Sequence, residues 1–395
     1  AEIGTTFKNE SIESRLWAEH APVYGWKGIV GLHYNHSDFE AIGEEAFTPP
    51  TKTDSIAAFL MEEKKVGSLL WQVGTRVEQS THNVDNDFFT ALSSSNSVSF
   101  DDKDYDAVSG SAGVVWSIND RHSLAFNYAY SQRAPSASEI YAYGPHIGSG
   151  TYEVGGGFEL SNNAGQYSVV QSNESMNKEV SNNLDLTYRY TGDTWNANVS
   201  IFNNDISDYV FESFTDLVIS DGAFISSADY ENQVAVSGEP DDEADGLPVV
   251  LFAQQDARLY GYEAQVDWHL NDDWRLEVFT DYTRAKLDSG GNVPRIPPMR
   301  VGSSVHYEYG NWHTEVEVIR NAKQDKIADN ETSTKGYTML SASANYYLDL
   351  GDVDMTIYIK GDNLTDQEGR VHSSYLKDEA PLPGRSVSLG VRARF

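Results

Sequence analysis

Segments whose apolar residues recur at every second position follow one another along this chain, and the connections between them alternate in length. Short connections lie near Val23–Trp26, Lys64–Gly67, Asn119–Arg121, Thr191–Thr194, Asn271–Asp273, Tyr309–Asn311 and Leu350–Asp352. Longer ones lie near Ala41–Lys52, Asp85–Asp102, Ala134–Lys178, Ser207–Val249, Leu287–Pro294, Lys326–Thr334 and Asp366–Arg385. A repeat of two is that of a strand, whose side chains point alternately to opposite faces. A soluble sandwich has no reason to alternate short and long connections so regularly. A membrane barrel does, because its turns on one side are short and its loops on the other are long.

The last eleven residues, RSVSLGVRARF, carry the pattern most plainly. Val387, Leu389, Val391, Ala393 and Phe395 share one face, and Ser386, Ser388, Gly390, Arg392 and Arg394 the other. The first face suits lipid and the second does not. Leu184, Leu186, Tyr188 and Tyr190 set against Asp185, Thr187 and Arg189 repeat the arrangement. Trp195, Trp274 and Trp312 each follow a short turn, where an interfacial aromatic belt places them.

Counting such segments predicts about fifteen strands, the clearest being Leu69–Val77, Arg121–Tyr130, Asn183–Tyr190, Trp195–Ile201, Trp274–Tyr282, Trp312–Val318, Met339–Tyr346 and Val353–Ile359. The fold class is therefore all-β, a transmembrane up-and-down antiparallel β-barrel. Single-chain bacterial barrels normally have an even strand number. Fifteen strands, and an opening (AEIGTTFKNE) without a Met or signal peptide, predict a chain preceded by further strands.

Composition narrows the function classes. The chain carries 60 acidic against 28 basic residues, a net charge of -32, so it lacks the basic face that a nucleic-acid partner needs. It has no cysteine, which excludes disulfides and thiolate chemistry. Aromatic residues make up 12% while mean hydropathy is -0.48, a pairing that fits strands meeting lipid at alternate residues. No H-E-x-x-H, G-x-S-x-G, phosphate-binding loop or dinucleotide fingerprint is present, so nothing specifies an enzyme or a bound cofactor. Glu239, Asp241, Asp242, Glu243 and Asp245 form one acidic loop cluster. Asp102, Asp104 and Asp106 begin like a calcium loop, but Ala107 and Gly113 stand where its Gly and closing Glu belong. His122, His269 and His313 lie at turns or strand ends and read as surface polar groups.

Two stretches are more specific. One holds Arg133-Ala134-Pro135-Ser136, Glu139-Ile140-Tyr141, Gly144-Pro145-His146 and Thr151-Tyr152-Glu153-Val154-Gly155, with Ser161–Ser175 inserted after it. The other holds Asn363-Leu364, His372-Ser373-Ser374-Tyr375-Leu376 and Pro383-Gly384-Arg385. Together they resemble the TonB-dependent outer-membrane receptors, in particular the branch that takes up zinc. The resemblance implies that residues 1–395 are the C-terminal portion of a 22-stranded barrel domain whose plug and TonB-contacting N-terminal box lie outside the sequence. It implies the outer membrane of a Gram-negative bacterium, a monomer in lipid, and active uptake of a small scarce nutrient, zinc first and other metal chelates next. The metal would be cargo rather than cofactor, with His146, His372 and Glu153 as candidate ligands. A passive porin and a soluble all-β binding protein are the alternatives.

Overall fold

The computed structural model of the chain describes residues 5–43, 45–92, 98–237 and 246–395. The acidic cluster from Glu239 to Asp245 lies outside the described residues. The chain opens with six long strands, β1 (Thr6–Glu19), β2 (Lys27–Ile42), β3 (Thr51–Val66), β4 (Leu69–Val84), β5 (Lys103–Ser117) and β6 (His122–Arg133), with a short helix, α1 (Asp87–Leu92), between β4 and β5. Helix α2 (Ala137–Tyr141) and two hairpins follow: β7 (Tyr143–His146) with β8 (Thr151–Val154), and β9 (Phe158–Asn163) with β10 (Gln166–Gln171). The long strands resume with β11 (Glu179–Thr191) and β12 (Trp195–Ser220). After β13 (Ala223–Ser226) and α3 (Ser227–Ser237) come β14 (Pro248–His269), β15 (Trp274–Leu287), β16 (Arg300–Tyr309), β17 (Trp312–Asn321), β18 (Tyr337–Asp349), β19 (Asp354–Asp362) and β20 (Ser386–Arg394).

Fifteen of these twenty strands form one antiparallel ladder in chain order, in which β6 pairs with β11, and β12 with β14. The other five, β7 to β10 and β13, belong to the connections. Each long strand thus lies beside its chain neighbours, and all long connections emerge on one side, as the turn spacing predicted. Among the described residues β1 pairs with β2 and β20 with β19, each on one flank. No described helix is long and apolar enough to cross a membrane.

The face away from the lumen is apolar and open to its surroundings. Leu186, Val199, Val278, Val316, Ile357 and Leu389 are all exposed, with Val316 at 47% and Leu389 at 76%. Alternation puts Glu315 and Glu317 on the opposite face from Val316. Seven of the eight tryptophans (Trp17, Trp71, Trp116, Trp195, Trp268, Trp274 and Trp312) are exposed near the short-turn ends of their strands. Several pack on tyrosines of the neighbouring strand, with ring centroids 4.0 Å apart for Tyr190–Trp195, 4.6 Å for Trp274–Tyr307 and 4.8 Å for Trp312–Tyr346. Such rings prefer the headgroup level, where one part of the ring is wet and the rest apolar.

The largest hydrophobic core lies among the long connections rather than in the wall. Phe89, Phe100, Ile140, Tyr141, Val154, Phe158, Leu217, Ile219 and Val249 form it, with Tyr141, Val154 and Val249 fully buried. This core corrects one boundary. The connection expected over Ser207–Val249 is shorter, because β12 and β14 continue beyond a register break between Ile206 and Tyr209. Their extensions carry Val210, Leu217, Ile219 and Val249, which have this core to bury into. The region expected as an insertion, Ser161–Ser175, holds the second half of β9, the turn, all of β10 and the four residues that follow it. Asp102, just before β5, and Asp104, within it, accept hydrogen bonds from the Asn83 and Thr81 side chains of β4.

His313, expected as a surface polar group near a turn, is half-buried, and the β16–β17 register sets it on the same face as His306, Glu308 and Glu315.

If the outer face meets lipid, Val316→Arg should destabilise the protein by roughly 2–4 kcal/mol, whereas Ser341→Arg, paired with Glu317 on the inner face, should cost little. Reversible urea unfolding of both variants in lipid vesicles measures the difference, and equal costs would mean that the faces are misassigned.

Candidate functional site

The motif residues build the mouth of the barrel from the wall outward. Arg133, near the end of β6, donates two hydrogen bonds to Glu139 (2.8 and 3.0 Å) and one to Glu179 on β11 (2.6 Å). Ser136 caps α2: its hydroxyl accepts from the Glu139 N–H, while the Glu139 carboxylate accepts from the Ser136 N–H. This reciprocal cap fixes the start of the helix. Ile140 and Tyr141 then point into the loop core. Gly155 packs directly on α2, where a Cβ would stand 2.3 Å from the Ile140 carbonyl oxygen, so no larger residue fits.

That packing positions the β7–β8 hairpin. Alternation along β8 turns Tyr152 and Val154 towards the core and Thr151 and Glu153 to the other face. β8 also runs parallel to β14, with Glu153 opposite Val250, which holds the carboxylate in place. The result joins two residues singled out in the sequence: His146 Nδ1–H donates to Glu153 Oε1 at 2.5 Å. The Ser149 hydroxyl donates to the His146 carbonyl at 3.0 Å and lies 3.3 Å from the same Glu153 oxygen. The His146 ring stacks on Phe47, centroids 4.2 Å apart and 16° from parallel. Glu153 is 4% exposed, and His146 presents part of its ring to solvent. The Glu153 hydrogen bond raises the His146 pKa above its ordinary value, against the opposing effect of burial. Among the described residues, His146 Nε2 has no hydrogen-bond partner.

His372 is elsewhere. It is buried in the β19–β20 connection, its Nδ1 3.1 Å from the Thr334 hydroxyl. Its Nε2 lies 3.0 Å from Glu331 Oε1 but out of line for a directed hydrogen bond. Asn363 sets this connection in place. It takes a positive φ of 48°, donates to the Gln367 and Pro383 carbonyls and accepts the Gln367 N–H. His372, His146 and Glu153 therefore do not converge as one set of three ligands.

Sequence reasoning missed the carboxylate that joins the loops. Glu331, in the β17–β18 connection, accepts the backbone N–H groups of Arg295 (3.0 Å) and Ala328 (2.9 Å), and Lys377 Nζ stands 3.2 Å away. Burial pushes its pKa up, but His372, the two N–H groups and Lys377 outweigh burial and hold it down at about 2. Arg295 in turn pairs with Glu212 on β12 at 3.3 Å, and its guanidinium lies 3.3 Å over the Tyr375 ring. Three loops and an extended strand are thus tied together around a cleft of about 490 Å³. Ser149 and Thr151 of the His146 hairpin line one side, and Glu331, Tyr375 and Lys377 the other. Glu212 and Arg295 line it too, and both also act electrostatically on His146.

A continuous antiparallel wall with an aromatic belt and a loop-borne core is that of a membrane β-barrel. The chain belongs to the TonB dependent receptor-like, beta-barrel family, which matches residues 4–364. Among curated proteins it is similar to the heme/hemopexin utilization protein C of Haemophilus influenzae, 25% identical over 243 residues, covering 59% of this chain and 31% of that protein. Among solved structures it is similar to the copper transporter OprC (TM-score 0.76, 16% identity, 99% of this chain and 57% of that one). It is also similar to the FrpB iron transporter of Neisseria meningitidis (F3-3 variant; TM-score 0.64, 13% identity, 98% and 55%). The chain thus spans about a third of that curated relative and little more than half of these structures.

Glu331→Gln should loosen the mouth, since it removes the anion that Lys377 and His372 face. Loss of one partner from a buried pair costs about 3 kcal/mol. Hydrogen exchange should speed up in the connections holding Arg295, Glu331 and Lys377 and stay unchanged in the wall. Acid acts in the same direction: the stabilisation is full above the ordinary Glu value of 4.5 and is lost as pH falls towards about 2. Unchanged exchange in the variant would mean that Glu331 does not hold the loops.

Proposed function

We propose that the chain forms the barrel wall and outer mouth of an energised outer-membrane importer for a scarce metal or metal chelate, with zinc the first candidate. The observation that carries this reading is the His146–Glu153 pair beside the loop-built cleft. A partly exposed imidazole with one nitrogen oriented by a carboxylate keeps the other available to a metal, an arrangement common among metal-binding histidines. The cleft's volume is that of a small-ligand pocket, and it suits a chelate as well as an ion. The names of the similar proteins concern copper, iron and heme, and they support metal as the class of cargo. Zinc itself rests on the imidazole–carboxylate chemistry and the motif resemblance. TonB is the proposed partner that supplies the energy, and the receptor is proposed to act as a monomer. The partial coordination suits a transport site, which must release what it binds.

Uptake of radiolabelled zinc by cells carrying the full-length receptor tests this. At sub-saturating zinc, His146→Ala should reduce TonB-dependent uptake by about tenfold. Uptake unaffected by that substitution would remove His146 from the cargo path, and uptake independent of TonB would point to a passive pore instead.

A further inference from the structure

A second group of possible ligands stands at the other end of the wall. His306 lies three residues before the end of β16, and His313 lies just beyond the two-residue turn that joins β16 to β17. The register pairs His306 with Glu315 and Glu308 with His313. All four side chains therefore share the inner face, two from each strand, since residues two apart on a strand point the same way. One ligand atom from each of His306, His313 and Glu315 lies within 4.8 Å of the others.

Two further observations set this group apart from a chance cluster. His306 is 7% exposed, and both of its ring nitrogens are buried without a hydrogen-bond partner. A buried imidazole in that position has given up its hydrogen bonds to water and received none in return, which native structures rarely tolerate. Glu308 Oε1, for its part, lies 2.9 Å from His313 Nδ1. That contact is a close ion-pair approach rather than an aligned hydrogen bond, and it sets a carboxylate's negative charge beside the site, which favours a bound cation. The nearby cation does not spoil the site: Arg275, paired with His306 on the β15 side, has its guanidinium 3.2 Å from Asp267.

We propose that His306, His313 and Glu315 form a binding site for a first-row divalent transition metal on the inner wall, at the short-turn end of the barrel. Two imidazoles and one carboxylate select zinc-like or copper-like ions over magnesium or calcium, which prefer oxygen ligands. Three protein ligands leave a coordination position open, so the bound ion can exchange. The site depends on the β16–β17 register and not on which cargo enters at the mouth. Its further role, a stop for metal leaving on the far side from His146, does rest on the function proposed above.

Zinc binding to the metal-stripped full-length receptor in detergent, followed by equilibrium dialysis, tests the site. Wild type should bind one equivalent of zinc that the His306→Ala/His313→Ala variant lacks and the His146→Ala variant keeps. The isosteric Glu315→Gln should bind that equivalent about tenfold more weakly, which covers the case in which the double variant fails to fold. Cobalt at the same site should show visible absorption bands that vanish with the two histidines. Equal zinc stoichiometry and affinity in wild type, the double variant and Glu315→Gln would overturn the site. Loss of zinc transport in His146→Ala with the His306 equivalent intact would separate the mouth reading from this one.

Discussion

Lipid offers no hydrogen bonds, so each backbone N–H and C=O of a spanning segment must be paired within the protein. The strand order follows from this constraint. A ladder in chain order, with every strand beside its sequence neighbours, satisfies the backbone of the wall with the shortest possible connections on one side. Side-chain alternation then follows, because the two faces of the same ladder meet different surroundings. Val316 faces outward and Glu317 inward for one reason: they are consecutive residues of a paired strand.

The wall therefore has no interior of its own, and side-chain packing moves to the long connections. There the aromatic cluster around Phe100, Tyr141 and Phe158 gives the loops a core, with ring centroids 5.1–5.2 Å apart. Charged contacts act above that core. Glu331 gathers N–H groups and a lysine from separate connections, and Arg295 links the same group to β12. The mouth is thus a built structure on an otherwise repetitive wall. The His146 hairpin inherits its position from both: parallel pairing to β14 below and core packing on Ile140 and Tyr141 behind.

How much of this was legible in the sequence follows from the range of the interactions. Strand number, order, the outward residues and the aromatic belt were legible, because alternation and turn length are local. The pairing of His146 with Glu153 was half legible: both lie in one motif, and the hairpin that joins them spans only residues 143–154. The extension of β12 to Ser220 was not, since only the loop core makes it worthwhile to continue the strand. Glu331 was invisible for the same reason, its partners lying 36 and 46 residues away in sequence. The pairing of His306 with Glu315 could have been found. Counting outward from the turn at Gly310 and Asn311 sets them opposite each other, but His313 was judged alone and read as a surface group.

The central claim is a wall with all of its long connections on one side of the membrane. These 395 residues hold no cysteine, so a single cysteine placed among them has no competitor within this part, and the unsubstituted full-length receptor serves as the labelling control. Cells bearing the full-length receptor with Asn173→Cys or Asp378→Cys, both exposed in long connections, should react from outside with a bulky polyethylene-glycol maleimide. Gly67→Cys and Asp352→Cys, in short turns, should react only after the outer membrane is permeabilised. Labelling of the turn positions in intact cells, or protection of the loop positions, would contradict the account.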